Sequence, residues 1–240
     1  MGRVLLDAVD STNAEAMRRL PQLEGPCWIL ARRQTAGRGR RGRPWSDPDG
    51  NFAASLALRP GMDPQRAALL SFVASLALHE SLGDLTAQPS ALAIKWPNDL
   101  LAGRGKVAGI LLEAAGTAGR ADQLVIGIGV NLARAPAVVS AEAIPAVSLV
   151  AATGVRLRPE TLLDRLAPAF DAWHRRLLAE GFAPLREAWL ARAAGLGGPV
   201  TARTGREAVH GTFETIDESG ALVLRTDAAR RIIPAADVFF

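Results

Sequence analysis

The feature that most constrains the fold is a long irregular segment between two apolar runs. Residues 35–51 are rich in glycine, arginine and proline, and they separate residues 28–33, which begin with an apolar run, from the alternating residues 52–58. Glycine and proline disfavour both helix and strand over such a stretch. Because a candidate strand flanks the segment on each side, we expect a long loop carried by a folded domain. Loops of this length are usually functional.

The centre of this loop combines glycine with arginine, in the run Gly37-Arg38-Gly39-Arg40-Arg41-Gly42-Arg43-Pro44-Trp45. Glycine lets backbone N–H groups approach an anion closely, and guanidinium groups bind carboxylate or phosphate. By motif alone, a segment that binds nucleic acid is about equally well indicated. The position of the loop between two apolar strands favours a lid over a small anionic ligand.

The remaining sequence predicts an α+β chain of two domains. Strands are expected at residues 4–6, 28–33, 52–58, 92–96, 107–114 and 124–130, and the last two form an antiparallel hairpin. Helices are expected from the cap at residues 10–13 to residue 20, and at 63–82, 159–180 and 184–193. A glycine-rich boundary at residues 195–199 precedes short strands and turns, which predict a small β-barrel. The expected domains are residues 1–195 and 196–240.

Two lysines are distinctive because every other basic residue is an arginine. Of the 28 basic residues only Lys95 and Lys106 are lysines, so each is a candidate for a task that needs a compact ammonium group. Lys95 leaves a predicted strand together with Asn98 and Asp99, which can orient a nucleotide and its magnesium. Asn98 and Asp99 are equally typical of an ordinary turn. Lys106 can neutralise charge on a transferring phosphoryl group.

Glycines inside two predicted strands indicate close approach of a ligand. Gly109 interrupts one apolar strand, and Gly127-Ile128-Gly129-Val130-Asn131 repeats the pattern on its neighbour. No helix follows these glycines, so the likeness to a dinucleotide-binding motif is weak. The 3 histidines lack metal-ligand spacing, and neither a serine nucleophile elbow nor a Walker loop is present. We therefore expect a site that acts by positioning and electrostatics.

Composition excludes several other classes of protein. A single cysteine, Cys27, rules out a disulfide framework, and a net charge of +4 is too modest to establish a polyanionic partner. No run of apolar residues is long enough for a membrane span, and the N-terminus lacks the order of a secretory signal. The expected location is the cytoplasm, without a membrane partner.

Taken together, these segments resemble the biotin–protein ligases. The resemblance rests on Ser11-Thr12-Asn13, Gln34, the loop of residues 37–45, Lys95-Trp96-Pro97-Asn98-Asp99, Lys106-Val107-Ala108-Gly109-Ile110-Leu111 and residues 127–131. It covers the chain from about residue 4 to the C-terminal barrel. It implies a mixed-sheet catalytic domain related to class II aminoacyl-tRNA synthetases and lipoate ligases, followed by an SH3-like domain.

The resemblance also implies a role for each matching position. Biotin would be bound by Ser11, Thr12, Asn13, Gln34, Gly37, Arg38, Lys106, Gly109 and Leu112. ATP or the adenylate would be bound by Arg38, Arg40, Arg41, Arg43, Trp45, Asn98, Asp99, Lys106 and Asn131. Catalysis would rest on Lys106, Arg38 and Arg40, and Asp99 would orient either Mg²⁺ or the ribose.

The implied reaction uses ATP and Mg²⁺ to convert biotin to biotinyl-AMP, and then transfers biotin to a lysine of a biotin carboxyl carrier protein or domain. Only ten residues precede Ser11. A monofunctional ligase without the helix-turn-helix domain of bifunctional members is therefore expected, and no DNA partner. Exposed strand edges make a homodimer plausible. Lipoate–protein ligase is the second interpretation and a nucleic-acid-binding protein the third.

Overall fold

The computed structural model describes residues 1–46, 48–117, 119–136 and 144–240. Asp47, within the predicted loop, and Ala118, within the predicted hairpin connection, lie outside the described residues, as do residues 137–143.

A seven-stranded mixed sheet forms the larger part of the chain, which confirms the predicted α+β class. Its strands are β1 (Gly2–Leu6), β2 (Cys27–Ala31), β3 (Phe52–Leu58), β4 (Leu92–Lys95), β5 (Asp99–Ala102), β6 (Gly105–Ala115) and β7 (Gln123–Val130). Their order in the sheet is β1-β2-β3-β7-β6-β5-β4. β1 and β2 pair in parallel, and every other neighbouring pair is antiparallel.

Helices cover both faces of this sheet because its central strands are apolar on both sides. They are α1 (Thr12–Arg19), α2 (Pro64–Ala68), α3 (Leu70–Thr86), α4 (Leu149–Thr153), α5 (Pro159–Glu180) and α6 (Ala183–Leu190). α3, α5 and α6 contribute to the main core on one face. α1 forms a smaller core on the other face, where Ala16 and Leu20 pack with Ile29 and Val125. All residues of β2 and β3 are buried, as this double covering requires.

The predicted helix at residues 63–82 consists of two helices. The Asp63 carboxylate caps α2 by accepting the backbone N–H of Arg66 at 2.8 Å, and the chain continues through Leu69 into α3. Within the described chain, Pro64–Thr86 is the one helical stretch long and apolar enough to cross a membrane, and 67% of its most apolar window is buried inside the fold. Core helices have this composition as well.

Two short elements, β5 and α4, were absent from the predicted elements. The cis Trp96–Pro97 bond lies in the tight connection between β4 and β5, which pair in register from Lys95 with Asp99 to Leu92 with Ala102. Asp99 is therefore the first residue of a strand and not only part of a turn. The missed elements have four and five residues, too few for a hydrophobic period to appear in the sequence.

The C-terminal part is an antiparallel sheet of five strands, consistent with the predicted SH3-like barrel. It contains β8 (Pro199–Arg203), β9 (Ala208–Ile216), β10 (Leu222–Arg225), β11 (Arg230–Ile233) and β12 (Asp237–Phe239), in the order β11-β10-β9-β8-β12. Trp96 donates its indole N–H to the Gly220 carbonyl at 2.9 Å. A side chain at Gly220, whose φ is +81°, would collide with the ring of Phe72. These contacts hold the C-terminal sheet beside the connection between β4 and β5.

Candidate active site

A cavity of about 420 Å³ lies over the face that β6 and β7 present to the glycine–arginine loop. Of the residues predicted for the site, those that line it are Ser11, Thr12, Asn13, Gln34, Arg38, Arg40, Arg43, Trp45, Asn98, Asp99, Lys106, Gly109 and Asn131. The fold thus brings together groups from α1, the loop, β4 to β7 and the residue after β7. Asp237 of β12 also lines the cavity, so the C-terminal sheet contributes to it.

Three predicted site residues do not line the cavity. Leu112 packs against the main core, and Leu111 lines the cavity. The reason is the alternation of side chains along β6, which puts Gly109 and Leu111 on one face. Gly37 lies beneath Trp45, because a Cβ at Gly37 would stand 2.7 Å from the Trp45 carbonyl oxygen. Arg41 points toward the C-terminal sheet.

One end of the cavity is a neutral hydrogen-bonding cluster at the N-terminus of α1. The side-chain oxygen of Gln34 accepts the backbone N–H of Thr12 at 2.8 Å and lies 3.1 Å from the Thr12 hydroxyl. Ser55, fully buried in β3, lies 2.8 Å from the Thr12 hydroxyl and 2.6 Å from Asn13 Oδ1. Asn13 donates its amide N–H to Glu113 at 2.7 Å. This end offers amide and hydroxyl groups to a ligand.

The middle of the cavity has a floor of paired glycines. Gly109 of β6 and Gly129 of β7 are direct partners in the sheet. A Cβ at Gly129 would lie 2.6 Å from the Trp45 indole, and one at Gly109 would lie 3.2 Å from it. The sequence predicted that a group approaches these glycines closely. In this structure, that group is the indole of Trp45. Lys106 Nζ stands 5.6 Å from the centre of the same ring.

The loop folds over the cavity as a compact hairpin. Gly39 and Trp45 donate their backbone N–H groups to the carbonyls of Arg43 and Gly37, at 2.7 and 2.9 Å. Arg41 has a φ of +57°, which a non-glycine residue rarely adopts. The turn that results directs arginine side chains both into the cavity and toward the C-terminal sheet.

Asp237 of β12 joins the loop to the C-terminal sheet. Its Oδ2 accepts hydrogen bonds from Arg41 at 2.8 Å and from Arg43 at 2.6 Å. Burial by itself would raise the pKa of Asp237, but the Arg43 hydrogen bond and the charges of Arg43, Arg41 and Arg40 together lower it below its usual value. Asp237 is consequently ionised at neutral pH and holds two loop arginines.

The other end of the cavity is cationic. Lys106 Nζ contacts Asp99 Oδ1 at 2.7 Å, and Lys95 Nζ lies 3.8 Å from Asp99 Oδ2. Burial lowers the pKa of Lys95, and Asp99 partly opposes this shift. Burial likewise lowers the pKa of Arg40, whose Nη1 lies 3.4 Å from Asn98 Oδ1. Two lysines and an arginine around one carboxylate leave net positive charge for an anion to neutralise.

Asn131, immediately after β7, contributes an unsatisfied acceptor. Its side chain is buried, and its Oδ1 has no hydrogen-bond partner among the residues that the structure describes. Buried polar atoms in proteins nearly always have a partner. An orphan oxygen in the wall of this cavity therefore suits a ligand that donates a hydrogen bond.

Sequence reasoning did not identify Ser55, Glu113 or Asp237 as site residues. Ser55 is one small residue within an apolar strand, and Glu113 ends another. A polar residue inside the all-buried strand β3 is the one local signal that could have drawn attention to Ser55.

Comparisons with known proteins agree with this arrangement. The biotin/lipoate A/B protein ligase family model matches residues 5–131, and the biotin protein ligase C-terminal domain model matches residues 195–240. A biotin–[acetyl-CoA-carboxylase] ligase of Paracoccus denitrificans is 56% identical over 98% of this chain and 99% of its own length. The bifunctional ligase/repressor BirA of Escherichia coli is 35% identical, over 93% of this chain and 69% of its own. A solved biotin protein ligase from Aquifex aeolicus, in complex with biotin and ATP, has the same fold. Its TM-score is 0.84 at 24% identity, over 99% of this chain and 98% of that one.

Proposed function

We propose, from the premise that the chain belongs to the biotin/lipoate A/B protein ligase family, that its cavity activates biotin with ATP and delivers it to a lysine of a biotin carboxyl carrier protein or domain. The chain is an ATP-dependent ligase that forms AMP. The observation that carries this proposal is the polarity of the cavity, which runs from the neutral cluster at Thr12 and Gln34 to the cationic cluster at Lys106 and Arg40. Biotin has a neutral ureido group at one end and a carboxylate at the other.

In the first step, the biotin carboxylate attacks the α-phosphorus of ATP and pyrophosphate leaves. Negative charge accumulates on the phosphoryl oxygens as this bond forms. Lys106 and Arg40 lie at the cationic end of the cavity, where they would stabilise that charge, and Arg38 would hold the carboxylate. Asp99 orients Lys106 through the 2.7 Å ion pair. No side chain acts as a nucleophile in this reaction.

In the second step, the acceptor amine attacks the acyl carbon of biotinyl-AMP. The bond to the phosphate oxygen breaks, AMP leaves, and the amine loses a proton. Because the mixed anhydride also reacts with water, a loop that covers the cavity would protect it from hydrolysis. Trp45, which rests on the glycine floor, and the pair of loop arginines on Asp237 would keep the intermediate enclosed.

Mg²⁺ accompanies ATP in enzymes of this chemistry and is usually held by phosphate oxygens with one or two carboxylates. In the described ranges, no group of three or more His, Cys, Asp or Glu side chains is placed to hold a metal ion. Asp99, predicted to orient either Mg²⁺ or the ribose, contacts Lys106. Asp99 is the partner of Lys106 in this structure, and a magnesium ion would be held mainly by the phosphate oxygens of ATP.

Further features of the proposal concern organisation and setting. The catalytic domain would comprise residues 1–195 and the SH3-like domain residues 196–240. The acceptor would belong to a biotin-dependent carboxylase, and the compartment would be the cytoplasm. The proposal includes a homodimer through an exposed strand edge, which light scattering would detect.

The decisive experiment is biotin-dependent exchange of labelled pyrophosphate into ATP, with lipoate assayed in parallel. We expect exchange with biotin and at least ~100-fold less with lipoate, because a site built to hydrogen-bond polar groups rejects an analogue that lacks them. Exchange with lipoate at a comparable rate would assign the chain to the lipoate branch. A nucleic-acid-binding function would instead require salt-dependent binding of duplex or single-stranded DNA.

A further inference from the structure

Lys95 is a buried cation in the wall of the cavity, and neither step of the proposed reaction uses it. Its side chain is 8% exposed, whereas the side chain of Lys106 is 30% exposed. Both residues line the cavity, but Lys106 is the one placed to reach a ligand, with its Nζ 5.6 Å from the centre of the Trp45 ring. Burying an ammonium group costs free energy unless the group is paired. The partner of Lys95 therefore indicates its task.

The two lysines contact different oxygens of one carboxylate. Lys106 Nζ lies 2.7 Å from Asp99 Oδ1, and Lys95 Nζ lies 3.8 Å from Asp99 Oδ2. The Asp99 side chain is only 14% exposed, so water contributes little to its solvation. Arg40, the third cation at this end, lies against Asn98 instead. Among the residues that the structure describes, the two lysines are therefore the ion-pair partners of Asp99.

The arrival of ATP changes the balance between these two contacts. In the proposed reaction Lys106 stabilises charge on the phosphoryl oxygens, so its ammonium group is drawn away from Asp99. A carboxylate with little access to water is costly to leave without a partner. Lys95 stands at the other oxygen, beyond hydrogen-bond distance at 3.8 Å, and can close on Asp99 as Lys106 leaves. Burial lowers the pKa of Lys95, whereas the charge of Asp99 favours its ionised form.

We propose that Lys95 is a positioning residue, which holds Asp99 while Lys106 moves from that carboxylate to the phosphoryl oxygens of the substrate. This inference rests on the proposed function and adds to it a residue that acts without touching biotin or ATP. Without Lys95, the carboxylate of Asp99 would have Lys106 alone and would retain it more strongly. Lys106 would then be less available for the charge that develops during adenylyl transfer.

The test is a double-mutant cycle on Lys95 and Asp99, measured as single-turnover formation of biotinyl-AMP at saturating biotin and ATP. Lys95→Met should slow this step about tenfold, because Asp99 then retains Lys106. In the Asp99→Asn background, the same substitution should change the rate by less than about threefold, because no charge is left to retain Lys106. The KM values of Lys95→Met for biotin and ATP should stay within about twofold of the wild-type values, because Lys95 contacts neither substrate.

His79→Met is the matched control for the loss of a buried polar group beside β4. His79 is as buried as Lys95, and its Nε2 lies 3.2 Å from the carbonyl of Leu92 in that strand. It belongs to α3 and does not line the cavity, so His79→Met should keep the wild-type rate of adenylate formation. Lys95→Gln provides a second variant should Lys95→Met not fold. It removes the charge but keeps polar atoms beside Asp99, and the same cycle applies to it.

The outcomes separate this inference from the function on which it rests. Unchanged adenylation in Lys95→Met, or an equal loss in both backgrounds of the cycle, would overturn the positioning role, since the second result requires Lys95 to act on the substrate directly. A loss in His79→Met as large as that in Lys95→Met would reduce Lys95 to a structural contact of β4 and overturn it as well. An absence of biotin-dependent pyrophosphate exchange in the wild-type protein would instead overturn the proposed function.

Discussion

Removing the carboxylate of Asp237 should open the loop without disturbing the chemistry. Asp237→Asn preserves the size of the side chain but loses the charge that holds Arg41 and Arg43 to the C-terminal sheet. Asp237 is only 25% exposed, whereas Arg41 and Arg43 are 46% and 64% exposed, so solvent screens both pairs. Each pair is then worth about 0.5 kcal/mol, and both together about 1 kcal/mol.

A loss of about 1 kcal/mol favours the open loop by roughly fivefold. We expect Asp237→Asn to release biotinyl-AMP about three to five times faster than the wild type. The assay is dissociation of preformed, labelled adenylate, with labelling of an unrelated protein as a second readout. Pyrophosphate exchange at saturating biotin and ATP should remain close to the wild-type rate, because Lys106 and Asp99 are untouched.

Glu214→Gln is the matched control within the same small sheet. Glu214 pairs with Arg230 and has the same 25% exposure as Asp237, but its partner belongs to β11 and not to the loop. Equal acceleration in both variants would show a general loosening of the C-terminal sheet and refute the interdomain contact. Raised salt should speed release from the wild type more than from Asp237→Asn, since screening weakens only pairs that exist.

The pH dependence of this contact follows from the lowered pKa of Asp237. A carboxyl group with a depressed pKa in the folded state contributes above its unfolded pKa and loses its contribution as pH falls through the folded one. The Asp237 contact should therefore be constant from about pH 5 upward and fail only in acid. A change in adenylate release between pH 6 and 8 that disappears in Asp237→Asn would contradict this.

Three further substitutions test the remaining parts of the site. Lys106→Met should fold but lose about 3 kcal/mol of transition-state stabilisation, measured as single-turnover adenylation; near-normal turnover at saturating substrates would remove Lys106 from the mechanism. Arg40→Gly should impair adenylation less than Lys106→Met does, but it should release biotinyl-AMP faster and label bystander lysines. Lost adenylation with unchanged retention of the adenylate would show that Arg40 serves only the chemical step. Gly129→Ala should displace the Trp45 indole and weaken ATP binding more than biotin binding in calorimetry; equal weakening of both would contradict the placement of Trp45.

The parts of the site that could be predicted are those formed by residues close together in the sequence. The loop was recognisable from its alternating glycine and arginine residues, and Lys106 was recognisable because lysine is rare in this chain. Local composition carries such information because each group acts with its sequence neighbours. The same holds for the main strands and for α5, whose length exceeds the range in which helix and strand are confused.

Contacts between distant residues could not be predicted in this way. Ser55 meets Asn13 across 42 residues, Asn13 meets Glu113 across 100, and Asp237 meets Arg43 across 194. Nothing near Asp237 in the sequence distinguishes it from any surface aspartate. Which leucine of β6 lines the cavity could not be predicted either, because β6 is apolar on both faces there and its period of two does not tell which face holds the ligand.

The two lysines show which part of the site composition can predict and which part requires the structure. Their rarity indicated a shared need for ammonium groups, and the structure supplies the reason, since both approach the same carboxylate of Asp99. Lys95 is buried, and this desolvation lowers its pKa, while the charge of Asp99 partly opposes the shift. Lys106 is more exposed and faces the cavity, where an arriving phosphate can compete with Asp99 for it. Lys95 then remains to neutralise Asp99, so the carboxylate is not left unpaired when Lys106 turns to the substrate.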